Sequence, residues 1–428
     1  MVDRNLFLHD LAIVAIMKNE GPYLKEWLDY YLAAGVEHFY LYDNESPDNQ
    51  AEVAAPYVKA GLVDYFPLPG KAMQMVAYID AVKRFKFACR LMAFIDGDEF
   101  IYPKTNRPIA EVVDEILSHN PNAAGVAINW QIFGSNNLET ADYSRGVLER
   151  FTRRAPRDWY IPPKPDAETQ GNIHVKIITN PRAVKVFENP HYAIYFEKRF
   201  AVNENGGVVQ GPYSHPVSVD KIVINHYYVK SREEFFKKIS RGPADGNKTY
   251  AERKFETNDR NEEFDDGILH YRDERAKNFR PPDKSHAAEK LLNALMANLS
   301  PTLLPSTPPE FFAGKMETFL TCRAVAAYLR TRLPDDSPAK FFEEAALKAM
   351  LRSFDGMSFA DARLFLRELP TLLTLPYPVV ADIRRAAFHI IPLLMNTFRI
   401  NIMWRDYAEL DYIRDLLKLT EADNFAER

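Results

Sequence analysis

LAIVAIMKNEGPYLKEWLDYYLAAGVEHFYLYD, residues 11–43, changes its period twice. Leu11–Met17 is an unbroken apolar run, Leu24, Trp27, Leu28 and Tyr31 then share one face of a helix over Tyr23–Ala34, and His38–Asp43 returns to strand. Working outward, the pattern continues with a helix capped by Asp48, a strand at Val63–Phe66, a helix over Ala72–Phe87 and a strand at Leu91–Ile95. Strands alternating with helices predict the α/β class, a mostly parallel sheet with helices on both faces. Ligands of such sheets bind beyond the carboxyl ends of the strands. Those ends are polar here: Lys18-Asn19-Glu20-Gly21, Asp43-Asn44-Glu45-Ser46 and Asp96-Gly97-Asp98-Glu99. Their convergence on one rim predicts a site.

A chain of 428 residues suggests two or three domains at roughly 100–200 residues each. Its 54 Lys+Arg against 59 Asp+Glu give a net charge of −5, which excludes a broad footprint for a nucleic-acid backbone. Cys89 and Cys322 cannot build a disulfide framework and suit a reducing compartment. Met1–Asp10 lacks the apolar core of a signal peptide, and Ala386–Trp404 is interrupted by His389, Pro392 and Arg399, so it reads as buried helices and not as a membrane span. A cytoplasmic protein is expected.

Further strands are predicted at Gly125–Trp130, Val175–Thr179 and Ile222–Asn225, separated by long loops. Ser231 and Glu234 form a capping box for a helix over Glu233–Ser240. Beyond Asn278 strand signals stop, and prolines cluster at 281–282 and 301–309. The expected division is a catalytic domain over 1–280, a Pro-rich linker with a short helix over 281–309, and an all-α domain over 310–428.

The sharpest chemical signal is FIDGDEF, residues 94–100, with two carboxylates one residue apart after an apolar strand. Magnesium and manganese take oxygen ligands, commonly one or two carboxylates together with the oxygens of a diphosphate. An ordinary Asp-Gly turn is the competing reading, with even weight. Four segments occur in order: IMKNEGPYLKEWLDYYLAAGVEHFYLYDNES at 16–46, PGKAMQMVAYIDAV at 69–82, MAFIDGDEFIYP at 92–103 and INHYYVKSREEFFKKISRG at 224–242. Together they resemble the bacterial relatives of glycosyltransferase family 92, allied to family 2.

That resemblance implies a GT-A fold, a nucleotide-sugar donor, usually a UDP-sugar, and a Mn2+ or Mg2+ ion at the DxD. Transfer with inversion, in cell-surface polysaccharide or glycolipid synthesis, is the implied activity. Asp98 is the first choice as metal ligand, with Asp96 on the ribose or reaching the metal through water, Glu99 orienting both or else pointing outward in the turn, and His226 completing the metal shell or else a satisfied core histidine. Asp43 is placed to read uracil or ribose, and Asn19, Glu20 and Asn44 could line that slot or simply cap turns. Lys230 is a candidate for stabilising the departing diphosphate. Lys176 and His191, in and after the VKIITNP segment at 175–181, are expected to line the cleft. Trp130 suits a sugar platform, with Asn136 and Asn137 reading hydroxyls, and a core tryptophan is the alternative. Inversion needs a base for the acceptor hydroxyl. Glu263, Asp265 and Asp266 in NEEFDDG (261–267) are the candidates, against the plain reading of a solvated charge run.

The acceptor expected is a glycan or a lipid-linked sugar. The helical part could bind it, a second copy of the chain, or the inner membrane surface peripherally. Two rival functions stand beside this one. A sugar-nucleotide nucleotidyltransferase wants a Gly-rich loop after its first strand, where residues 11–22 hold one glycine. A non-catalytic interaction protein would be expected to have lost one of Asp96, Asp98 or His226, and all are present.

Overall fold

The structure is a computed structural model that describes residues 7–86, 88–162, 169–196, 198–240 and 248–280, with scattered helical positions between 319 and 372. Two compact units meet in sequence at Lys284/Ser285, and the one that begins at His9 holds every candidate residue named above. The predicted linker and most of the predicted helical domain fall outside the described residues. Among the described residues no helix is long and apolar enough to cross a membrane.

The first unit opens with β1 (His9–Met17), α1 (Gly21–Ala33), β2 (His38–Asp43), α2 (Gln50–Lys59), β3 (Val63–Pro67), α3 (Gln74–Phe85) and β4 (Cys89–Phe94). After these come β5 (Glu99–Pro103), α4 (Ile109–Ser118) and β6 (Ala123–Ile132). β1 pairs in parallel with β2 and β4, and β2 with β3, as the alternation predicts. The Val175–Thr179 strand departs from this: it runs antiparallel between β4 and β6 and joins the two parts of the sheet. The sequence signals its apolar character but not its direction, which is fixed by partners about 50–90 residues away.

Alternation along β1 explains the two layers. Leu11, Ile13, Ala15 and Met17 join Leu24, Trp27 and Leu28 of α1 in one core, whereas α3 brings Tyr78 against Phe94 and Phe187. Trp27 and Tyr31 are fully buried, which contributes on the order of 2–3 kcal/mol for each large apolar side chain. Their polar ends are satisfied as well, since Trp27 Nε1 and Tyr31 Oη both donate to the Glu99 carbonyl at 3.1 and 3.0 Å. Aromatic residues of α1 therefore clamp the start of β5, the strand that follows the acid pair.

One expectation is refined. The residue at the N-cap of α2 is Asn49, yet Asp48 serves that helix start, its Oδ1 accepting the Gln50 N–H at 3.2 Å. Its Oδ2 also accepts the N–H of Gly21 at 2.9 Å, at the start of α1. The helix dipole and the unpaired amides of a first turn attract an anion, and the chain supplies one from the neighbouring loop.

Candidate functional site

Parallel register brings the polar strand ends together: Met17 pairs with Asp43, and Val14 with Phe94. Asn44 N–H closes the edge by donating to the Met17 carbonyl at 2.9 Å. Gly97, between the two aspartates, lies close against the end of β1: a Cβ there would come 3.3 Å from Met17 Cε and 3.4 Å from Glu20 Cγ, so these side chains would have to give slightly.

Each aspartate is met by a lysine. Asp96 Oδ2 accepts from Lys176 Nζ at 2.9 Å and its Oδ1 from Gln74 Nε2 at 2.6 Å. Asp98 Oδ2 accepts from Lys238 Nζ at 2.5 Å, and its Oδ1 faces His226 Nε2 at 3.6 Å. Burial alone would raise the Asp98 pKa. The ammonium of Lys238, with His226 and Lys230 beyond it, outweighs that and holds the carboxyl well below the usual range. Glu99 lies behind the pair, with no exposed side-chain surface, and its Oε2 accepts the Asp96 N–H at 2.9 Å. Desolvation dominates there, and the negative Asp96 and Asp98 add to it, so the Glu99 carboxyl is pushed well above its ordinary value despite Lys176 at 3.9 Å. Its Oε1 has no hydrogen-bond partner.

His226 reaches Asp98 through β-pairing. The Ile222–His226 strand runs antiparallel to β5 and parallel to β6, which sets His226 opposite both Glu99 and Ile132. Tyr227 N–H then donates to the Asp98 carbonyl at 2.9 Å. Lys230 follows in left-handed backbone, φ +53°, with its ammonium 4.1 Å from the centre of the Tyr23 ring and 3.9 Å from Glu20 Oε2.

The residues that could hold a divalent ion here are Asp98 and His226, and they would not enclose it. Among the described residues no three His, Cys, Asp or Glu side chains converge on a point. Asp98 Oδ1 and His226 Nε2, 3.6 Å apart, can both reach an ion with bonds of about 2.1 Å, which leaves the other positions to substrate oxygens and water.

Asp43 accepts from Ser46 N–H at 3.0 Å and from Gln50 Nε2 at 3.3 Å, at the rim of the same end of the sheet. Asn19, in left-handed backbone, receives Ser46 Oγ on its N–H at 2.9 Å. Asn44 spends its amide on the carbonyls of Leu68 and Gly70, both at 2.8 Å, which straps the loop after β3.

The expected sugar platform is not open. One face of the Trp130 indole stacks on His174, with centroids 4.8 Å apart and planes at 19°, while His191 and His226 pack against it at 5.1 and 4.2 Å. Its edge differs from its faces, since Nε1 is buried without a partner, as is Nδ1 of His226. His191 donates from Nδ1 to the Val175 carbonyl at 2.9 Å; burial, reinforced by Lys176 and His174, pushes its pKa down to about 3. Asn136 is absorbed structurally: its Oδ1 accepts from Thr152 and Arg153 N–H groups and its Nδ2 donates to Thr152 Oγ1. Asn137 is exposed beside it.

The acidic stretch at 261–267 is drawn elsewhere. Glu263–Phe264 pairs with Arg153–Arg154, and Arg154 binds Glu263 at 2.6 Å and Asp265 at 2.8 Å. Asp266 lies 3.7 Å from His270. The polar contacts of these carboxylates are with Arg154, the Gly267 N–H and His270, not with the Asp96–Asp98 group.

Two residues of the site escaped sequence reasoning. Gln74 sits in the 69–82 segment, where a Gln opening a helix looks unexceptional. Lys238 is the second of two adjacent lysines on the Arg232–Ile239 helix, and only the helical phase, four residues from Glu234, separates it from its exposed neighbour.

The sequence profile of glycosyltransferase family 92 matches residues 15–264. The chain belongs to that family. Similar proteins include a family 92 member of Ricinus communis, 27% identical over 34% of this chain and 26% of the relative. Another, from Arabidopsis thaliana, is 32% identical over 34% of this chain and 27% of the relative. The match therefore spans only about a quarter of the length of these relatives. Among solved structures, S. aureus TarS 1-349 aligns with 14% identity and a TM-score of 0.30, covering 82% of this chain and 93% of that one.

Proposed function

We propose that the chain transfers a sugar from a nucleotide-diphosphate sugar, a UDP-sugar by family likeness, to a glycan or lipid-linked acceptor with the help of Mn2+ or Mg2+. The observation that carries this reading is the pair Asp96 and Asp98 at the end of β4, each held by a lysine, with His226 3.6 Å from Asp98. Asp98 and His226 would hold the ion. When bound, such an ion supplies positive charge where the departing diphosphate gathers negative charge.

The remaining roles fall to side chains. Asp43 accepts hydrogen bonds from ribose or uracil at the rim, and Glu20 and Asn19 flank that slot. Asp96, oriented by Lys176, Gln74 and the backbone contact to Glu99, faces the ribose side of the turn. Lys230 presents its ammonium to the diphosphate, and its cation–π seat on Tyr23 fixes the direction of approach. The partnerless edge of Trp130 offers one N–H to a hydroxyl of the transferred sugar. None of Glu263, Asp265 and Asp266 is assigned as the base, since Glu263 and Asp265 are committed to Arg154 and Asp266 lies beside His270. Residues beyond 284 bind or position the acceptor, or join two copies of the chain.

The nucleotidyltransferase reading has a specific observation against it. Such enzymes seat phosphate on the amides at the start of the first helix. Here Asp48 already occupies the Gly21 N–H, and a Cβ at Gly21 would collide with Asn49 Oδ1.

Calorimetric titration of UDP, with and without Mn2+, tests the proposal. Binding that needs the ion and is lost in Asp98→Asn supports it. Equal UDP affinity in the presence and absence of Mn2+, or in Asp98→Asn and wild type, refutes it.

A further inference from the structure

Asp98 stands between two cation sites. Its Oδ1 looks toward His226 and its Oδ2 holds the ammonium of Lys238. Three lysines serve the acid cluster, and they differ in freedom. Lys176 is fully buried and Lys230 is 5% exposed, whereas Lys238 keeps 33% of its side chain in solvent.

The backbone of Lys238 is nonetheless fixed. It lies near the end of the Arg232–Ile239 helix, whose start carries the Ser231–Glu234 capping box and whose Glu234 is gripped by Arg150. Freedom is therefore confined to the four-carbon stem. In the position where it meets Asp98, the ammonium also lies 4.5 Å from the centre of the Tyr228 ring and donates to the Tyr228 carbonyl at 3.4 Å.

We propose that Lys238 makes ion binding at Asp98 conditional on the donor. With no donor present its ammonium supplies the counter-charge of Asp98 and opposes a divalent ion arriving alone, since like charges this close repel. When the ion arrives with a nucleotide diphosphate, the same ammonium gains phosphate oxygens as acceptors and its repulsion of the ion is screened. Ion and nucleotide then each raise the affinity of the other by the same factor, as linkage requires. Lys238 is in this view a positioning and coupling residue, and the inference rests on reading Asp98 as a metal ligand.

The experiment measures Mn2+ binding to the full chain, by the loss of the free-ion electron paramagnetic resonance signal, with and without saturating UDP. In the wild type, UDP raises Mn2+ affinity by tenfold or more; a smaller gain overturns the proposal. Lys238→Gln raises the affinity for Mn2+ alone at least tenfold and shrinks the gain given by UDP. Lys238→Arg, which keeps the charge, stays within threefold of wild type on both. A structural role would give the opposite sign, with Lys238→Gln lowering or not changing the affinity for Mn2+ alone, and this overturns the proposal while loss of Mn2+ binding in Asp98→Asn upholds the metal reading. If Asp98→Asn binds Mn2+ as the wild type does, Asp98 is no ligand and both readings fall together.

Discussion

Arg150 and Glu234 meet through two parallel N–H···O bonds of 2.8 and 2.9 Å, and about 1% of either side chain is exposed. Tyr23 Oη donates to the same carboxylate at 2.9 Å, and Ser231 donates to it from both its N–H and its Oγ. This buried node joins α1, the short helix Val147–Arg150 and the helix that carries Lys238. Removing one partner of such a pair leaves an uncompensated charge and costs about 3–5 kcal/mol.

Arg150→Met should therefore lower stability by that amount in urea unfolding, and Arg150→Met with Glu234→Met together should recover part of the loss. Glu234 also sets an acid limit. Burial raises its pKa, but hydrogen bonds from Arg150 and Ser231 win and depress it below the ordinary 4.5. The unfolded chain then binds the proton first as pH falls, so the stabilisation is complete above about 4.5 and is lost below it. The stability gap between wild type and the double variant should narrow as pH falls from 5 to 3; a constant gap would show that the pair carries no linkage.

His191 predicts a second slope in a different window. Its folded pKa of about 3 lies far below the ordinary 6.5, so between those values the unfolded state takes up a proton that the folded state refuses. Stability contributed by the neutral ring is complete above 6.5 and declines as pH falls toward 3. Wild type should lose up to about 1.4 kcal/mol per pH unit more than His191→Gln across pH 6 to 4.5. Urea midpoints of the two proteins at several pH values decide it, and parallel profiles would contradict the assignment.

Trp130→Phe separates the edge of the indole from its faces. The ring stays sandwiched among His174, His191 and His226, while the partnerless N–H disappears. Thermal stability should hold within about 1 kcal/mol of wild type, because no hydrogen bond is lost and a buried orphan is removed. UDP affinity should be unchanged and the KM for the sugar donor should rise about tenfold. A KM equal to wild type would remove Trp130 from the sugar site.

A chain ending at Lys284 should fold and bind UDP with Mn2+ within threefold of the full chain. The reason is that every proposed donor contact lies before residue 240, within the unit that begins at His9. Calorimetry on the truncated protein checks this; a folded truncation without UDP affinity would show that later residues complete the donor site.

The parallel half of the sheet and its polar rim were legible because they rest on local periodicity and on adjacent strands. β5 was not, since its partner strand lies about 120 residues downstream and the Asp-Gly turn before it could equally end the sheet there. Lys238 and Gln74 were hidden for the same reason: nothing near them in sequence reveals the carboxylate each meets across the fold. The acidic stretch at 261–267 misled in the other direction. Its charge was visible, but the arginine that absorbs it, Arg154, is brought there only by a two-residue β-pairing. Trp130 shows the limit for single residues, because whether an indole face is open depends on histidines at 174, 191 and 226.

The pairing of the Ile222–His226 strand between β5 and β6 has a consequence for how the protein matures. Side chains alternate along a strand, so a slip by one residue against Glu99 and Ile132 would turn the imidazole to the opposite side of the sheet and offer Asn225 or Tyr227 to Asp98 instead. On the proposed roles of Asp98 and His226, competence to bind the donor is a report on strand alignment. Chains that have collapsed but misaligned this late strand would carry nearly native secondary structure and an inert cleft, and the fraction of a refolded sample able to bind nucleotide would count the molecules whose last threads are correctly laid.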